Sequence, residues 1–232
     1  MNYLRYVRLI GTMHVSPRSR EEVYRIIISE RPHAVAIELD RLRFLSMMEE
    51  KRVTLEDSLR YGRAGLINYL LAKVEERLGE EFGMAPGEEM KAAISAAAEI
   101  GAQLHLIDED IRVILSKLSS APFREKLLMG LEALGVFLPV GKSVEGDPLE
   151  EYRAMMHQFR DRYPYLYRVL VEERNEVMAR NLISIVENLK LRGVKRPKVV
   201  TVVGLGHKPG IERLLNSVNE KVFIPSSWNH PW

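Results

Sequence analysis

The chain has 232 residues, 46% of them hydrophobic, enough for one large domain or two small ones with a sizeable core. Its 34 basic and 32 acidic residues leave a formal net charge of +2, so nothing in the totals marks a nucleic-acid binder. Cysteine is absent, which removes disulfides, thiolate metal sites and a cysteine nucleophile, suits a reducing cytoplasm, and limits metal ligands to His, Asp, Glu and backbone oxygen.

The first ten residues include Arg5 and Arg8 and read as a strand, not as the apolar core of a secretory signal. A strand is expected over 6–12. A helix follows over 18–30, with Val23, Ile26 and Ile27 at helical spacing behind Ser16-Pro17 as cap and first turn. The second strand reads over 34–39. Helical patterns cover 55–81 and the alanine-rich stretch 88–100, which Gly101 stops. The third strand is 103–107. Helices are expected at 111–118, 123–134, 149–159 and, longest of all, 165–191. The fourth strand is the run Lys-Val-Val-Thr-Val-Val at 198–203. A helix over 211–218 and a short fifth strand over 221–224 close the pattern. No stretch reaches the ~18 uncharged apolar residues of a membrane span, so no membrane segment is expected.

This alternation predicts an α/β fold. A central, mainly parallel open sheet is flanked by helices, and a helical cap at roughly 111–191 is inserted before the last main strand. Residues 1–232 form a single domain in this reading. Near-continuous apolar runs predict strands covered on both faces.

The chemistry gathers at the carboxyl ends of the strands. The first ends Gly11-Thr12-Met13-His14, the second Glu38-Leu39-Asp40, the third Asp108-Glu109-Asp110, and the fourth Gly204-Leu205-Gly206-His207. Open α/β sheets bind ligands beyond this edge. If the strands run parallel, it collects two imidazoles and several carboxylates, a set that suits a divalent ion. Gly11, Gly204 and Gly206 let the backbone turn sharply and approach a ligand. Glu38 begins where a buried strand should be ending, so its charge needs a partner. That partner is either an arginine, with Arg41 and Arg43 near in sequence, or a metal shared with His14. On 165–191, Arg174 and Asn175 fall on the apolar stripe of Val171, Met178, Leu182, Ile185 and Leu189. Arg174 is expected to pair with Glu38, Glu89 or Asp108. Glu89 lies on the first turn of its helix, where negative charge is favourable. His33, His105, His157 and His230 rank lower, His105 as a packed core residue. No P-loop, G-x-G-x-x-G or G-x-S-x-G is present.

Several blocks resemble the TraB/PrgY family. Gly11-Thr-Met-His-Val-Ser16 is similar to its Gly-Thr-Ala-His-Val-Ser, and Ile37-Glu-Leu-Asp-Arg41 to its Val-Glu-Leu-Asp-x-x-Arg, with arginines here at 41 and 43. Pro86-Gly-Glu-Glu-Met90, Asp108-Glu-Asp-Ile111, Glu173-Arg-Asn-Glu-Val-Met178 and Val203-Gly-Leu-Gly-His207 resemble further blocks in order. Glu109 replaces the usual arginine and so removes a cation beside the cleft. The family is implicated in bacterial pheromone shutdown and resembles the Tiki proteases, with a wider relation to erythromycin-esterase-like and ChaN-like folds.

The resemblance implies a metal-dependent hydrolase, here expected to act on a peptide. His14, His207 and Glu38 would hold a divalent ion, Zn²⁺ or Mn²⁺, with Glu38 as ligand or general base. Arg174 would orient a carboxylate or steady a developing oxyanion. Arg41, Glu89, Asp108, Asp110 and Asn175 would stand around them. The helices over 111–170 would cap the site, with the apolar stretch 133–141 as a lip. One rival is a non-catalytic module that sequesters a peptide or small molecule. A second is a homo-oligomeric signalling protein using the lip and the tail 226–232, which carries both tryptophans, as contacts.

Overall fold

A computed structural model of the chain describes residues 2–12, 17–48, 87–133 and 148–216. Among these residues four strands form one sheet: β1 (Val7–Thr12), β2 (Ala34–Ile37), β3 (Gln103–Leu106) and β4 (Val199–Gly204). Their order is β1-β4-β2-β3, and every pairing is parallel. The last strand therefore lies between the first two. Thr12 sits opposite Gly204, and Ile37 opposite both Val202 and Leu106. All four carboxyl ends share one edge, and the ends of β1 and β4 are neighbours.

The helices are α1 (Pro17–Glu30), α2 (Arg41–Met48), α3 (Glu88–Ile100), α4 (Ile111–Ser119), α5 (Phe123–Ala133), α6 (Pro148–Arg162), α7 (Pro164–Tyr167), α8 (Glu173–Leu191) and α9 (Lys208–Asn216). Strand parity decides what each covers, because successive side chains point to opposite faces. On β4, Val199 and Val203 join Ala34, Ala36, Val7 and Leu9 under α8 and α9, whose Met178, Leu182, Val186, Ile211 and Leu215 complete that core. Val200 and Val202 point the other way, with Val35, Ile37 and Ile10. They meet Val23 and Ile27 of α1 and the alanines of α3. Those alanines let α3 lie close against α1 and the sheet. Gly101, at φ 70°, then ends α3 in the left-handed region.

The cap region has its own apolar cluster of Ile114, Leu115, Leu118, Tyr163, Leu166 and Val169. Glu125 of α5 anchors it, accepting the N–H groups of Tyr165 and Leu166 at 3.0 Å each. These orphan donors at the start of α7 would otherwise be buried unpaired.

β2 and β4 are buried along their whole length, as expected of covered strands. β3 is not: Gln103 is exposed and Leu104, His105 and Leu106 are half-buried, and among the described residues it stands at one edge of the sheet. The helix α2 has no counterpart among the elements expected from the sequence. It is a short element started by Asp40, whose Oδ1 accepts the Leu42 N–H at 2.8 Å. The last helix starts at Lys208, before the expected 211, since its first turn, Lys208-Pro209-Gly210, carries no apolar periodicity. The expected pattern over 165–191 is interrupted by a π turn at Arg168–Glu172. The helix expected at 55–81, the strand at 221–224, the lip beyond Ala133 and the tail 226–232 lie outside the described residues.

Candidate functional site

One step past β2 along the Ala34–Ala36 face comes Glu38, under α8. Its carboxylate is buried, and both oxygens are used. Oε2 accepts the Gly204 N–H at 2.6 Å, and Oε1 accepts Arg174 Nη2 at 2.6 Å. The same guanidinium grips Asp108, just beyond β3. Nε donates to Oδ1 at 3.0 Å and Nη2 to Oδ2 at 2.6 Å. Arg43 donates to Asp108 Oδ2 and to Asp40 Oδ2. A continuous chain, Asp40–Arg43–Asp108–Arg174–Glu38, therefore lines the carboxyl edge from β3 to β4.

The π turn immediately before α8 serves this chain. A five-residue hydrogen-bond step displaces the backbone, and the Leu170 carbonyl accepts Arg174 Nη1 at 3.0 Å. Four of the five guanidinium N–H bonds are thereby committed to Glu38, Asp108 and Leu170. Burial works against the Arg174 charge, but Glu38 and Asp108 outweigh it and raise its pKa further. Burial likewise pushes Asp108 up, and Arg174 and Arg43 override it to hold the carboxyl below its usual range.

His207 enters from the turn after β4. Its Nε2 lies 3.3 Å from Glu38 Oε1. Its Nδ1 is 2.8 Å from Asn175 Oδ1, so the Nδ1–H donates to the amide oxygen and Nε2 is turned toward Glu38. Asn175 in turn needs Gly210 on α9: a Cβ there would overlap the Asn175 Nδ2 and crowd its Cγ. From the cap, the Tyr152 hydroxyl of α6 reaches Gly206. Burial raises the pKa of this phenol, with Glu38 as the next cause, while the Gly206 backbone acts to lower it.

A second polar contact sits at the same edge on the opposite face. Glu89, fully buried on the first turn of α3, meets Thr12 Oγ1 at 3.4 Å through Oε1. Parity separates the two sets. Thr12 follows Ile10 toward α1 and α3, whereas Glu38 follows Ala36 toward α8.

The structure thus brings Glu38, Asp108, Arg174, Asn175 and His207 together and places Glu89 behind the sheet. Arg174 pairs with two of its three expected partners, Glu38 and Asp108. Arg41 is exposed on α2, and Arg43 takes the place in the cluster instead. Asp110 is a helix cap: it accepts the Arg112 N–H at 2.8 Å, and its side-chain bonds to Arg112 hold its pKa down to about 2. Glu109 pairs with Lys117 at 2.8 Å on the rim of a charged cleft of about 410 Å³. His105 is half-buried on β3, and burial lowers its pKa. His14 lies outside the described residues, two positions after Thr12. Among the described residues no three His, Asp or Glu side chains converge as a metal-holding group, so His207 and Glu38 stand as a pair.

Thr12 and Tyr152 are not among the site residues expected from the sequence. Thr12 was readable from strand parity once β1 was placed. Tyr152 was not, since no local pattern says which face of a cap helix meets a distant turn.

The family model described as the TraB/PrgY/gumN family matches residues 4–226. An uncharacterized protein of Methanocaldococcus jannaschii is 37% identical over 220 residues, covering 91% of this chain and 54% of that protein. TraB domain-containing proteins of mouse and cattle are 30% and 31% identical, each over 89% of this chain and 62% of the relative. The chain thus spans only 54% to 62% of the length of these relatives. Among the described residues no helix is long and apolar enough to cross a membrane.

Proposed function

This chain belongs to the TraB/PrgY/gumN family, and from that premise we propose that its carboxyl-edge pocket is a metal-dependent hydrolytic site for peptide bonds. The observation that supports this best is the pairing of His207 Nε2 and Glu38 Oε1 at 3.3 Å. With Nδ1–H donated to Asn175, Nε2 presents a lone pair to a carboxylate oxygen. Two acceptors at that separation call for positive charge between them, a proton or a metal ion.

His207 and Glu38 fit a divalent ion such as Zn²⁺ or Mn²⁺, with His14 as the third ligand in this proposal. The ion, when bound, would supply an acidified water at neutral pH. Glu38 would serve as a ligand to that ion through Oε1, its orientation fixed by the Gly204 N–H and Arg174. Asn175 would keep Nε2 of His207 toward the ion. Arg174, with four N–H bonds already placed, would serve by holding Glu38 and Asp108 in register. The cap helices would bound the cleft and select the substrate.

The test is the metal content and peptidase activity of protein purified without an affinity tag and loaded with Zn²⁺ or Mn²⁺. One ion per chain, lost in His207→Ala and in Glu38→Ala, with cleavage of a fluorogenic peptide library lost in parallel, is the expected result. A folded wild-type chain that retains no ion points instead to the rival, a peptide- or small-molecule-binding module in which the imidazole is a hydrogen-bond donor.

A further inference from the structure

One cap side chain enters the pocket without a share in holding an ion or moving a proton. Tyr152 and Met156, one turn apart on α6, both press on Gly206, the residue between β4 and His207. A Cβ at 206 would lie 2.5 Å from the Tyr152 hydroxyl and 3.4 Å from the Met156 terminal methyl. Only a residue without a side chain lets the phenol come this close. The phenol oxygen lies against the Gly206 backbone, and Glu38 is within electrostatic reach of the same hydroxyl. The turn that carries His207 is therefore held by neighbours on three elements. Gly204 donates to Glu38 after β2, His207 bonds Asn175 on α8, and Gly206 meets Tyr152 on α6.

We propose that Tyr152 is a positioning residue that latches the cap onto the Gly206–His207 turn, setting the imidazole's orientation and closing α6 over the Glu38–His207 pocket. This does not depend on which chemistry the pocket performs. A metal-dependent hydrolase and a binding module would both need the cap seated and the ring fixed. The cap helices share an apolar cluster apart from the two that pack on the sheet. A single polar contact at the pocket is thus able to govern how firmly α6 sits without disturbing the sheet.

The test uses the isotopically labelled, metal-free full chain and three variants, Tyr152→Phe, Gly206→Ala and the double substitution. NMR reads the Gly206 amide proton, amide exchange along α6 and α3, and the ring nitrogens of His207. In Tyr152→Phe the Gly206 amide resonance is expected to shift and its exchange to quicken about five- to tenfold, the size of one lost polar contact. The α6 amides should accelerate with it, α3 should keep its wild-type rates, and the His207 ring resonances should shift. Gly206→Ala, which expels the hydroxyl sterically, should do the same to α6 and His207, and the double variant should add nothing to either single one. Wild-type exchange of Gly206 and α6 in Tyr152→Phe would overturn the latch. So would effects on α6 that multiply in the double variant. An unmoved His207 ring would overturn the positioning role.

Discussion

Arg174 Nη2 lies 2.6 Å from Glu38 Oε1 and 2.6 Å from Asp108 Oδ2, so one nitrogen ties together the ends of two strands. The guanidinium is nearly buried, and so are both carboxylates, which would lose their shared cation without it. Breaking such a pair by removing one partner costs roughly 3–5 kcal/mol. Arg174→Met is therefore expected to lower the urea-unfolding free energy by about that amount. Arg174→Lys should recover little, because an ammonium cannot reach two carboxylates and the Leu170 carbonyl in one plane. A loss below about 1 kcal/mol in Arg174→Met, within the range of exposed ion pairs, would contradict this account of the cluster.

Acid should loosen the same cluster through Asp108. Its carboxyl is held below the usual range by Arg174 and Arg43 against the opposing effect of burial. A depressed folded pKa contributes stability that is present above the unfolded value of about 3.9 and is lost as pH falls through the folded value. The stability advantage of the wild type over Asp108→Asn is thus constant near neutrality and shrinks below about pH 4. Thermal unfolding of both proteins between neutral pH and pH 3 checks the sign. A gap that widens on acidification would show that Asp108 is not held charged by the arginines.

Gly210 should control His207 from one turn away. A methyl group at 210 has no room beside Asn175, whose Oδ1 receives the His207 Nδ1–H at 2.8 Å. Gly210→Ala is expected to fold, lose about 1–3 kcal/mol from the overlap, and lose the slowly exchanging His207 Nδ1–H signal. Asn175→Ala should lose that signal as well. Persistence of the signal in Gly210→Ala would mean that the amide tolerates displacement.

The two arginines after Glu38 should behave differently. Arg43 pairs with Asp40 and Asp108, whereas Arg41 is exposed on α2. Arg43→Ala is expected to cost about 2 kcal/mol through its charged hydrogen bonds. Arg41→Ala should leave the urea midpoint unchanged. Equal effects in the two variants would place the ion chain elsewhere.

Much of this was legible in the residues themselves. The apolar run at 198–203 had to be a central covered strand, and Arg174 and Asn175 on an apolar stripe had to find polar partners inside. The polar Gln103 and His105 were the signal that β3 is an edge, although the branched residues around them suggested a covered strand. Which arginine joined the cluster was not legible, since that depends on the turn of α2 set by the Asp40 cap. The partition of Glu89 and Glu38 between opposite faces was not legible either. It follows from where Thr12 stands on β1 and from the insertion of β4 between β1 and β2, a strand order that no local pattern specifies. Tyr152 was out of reach for the same reason: its contact with Gly206 joins two distant parts of the chain.

In the proposed site His207 Nε2 and Glu38 Oε1, 3.3 Å apart, are two ligands of one divalent ion. Crystals of the untagged chain grown with Mn²⁺, measured at the manganese absorption edge, test it directly. An anomalous peak is expected about 2.0–2.3 Å from both atoms, with the His14 imidazole as a third neighbour and no such peak in His207→Ala crystals. An occupied Mn²⁺ position elsewhere, with His207 donating a hydrogen bond straight to Glu38, would contradict it.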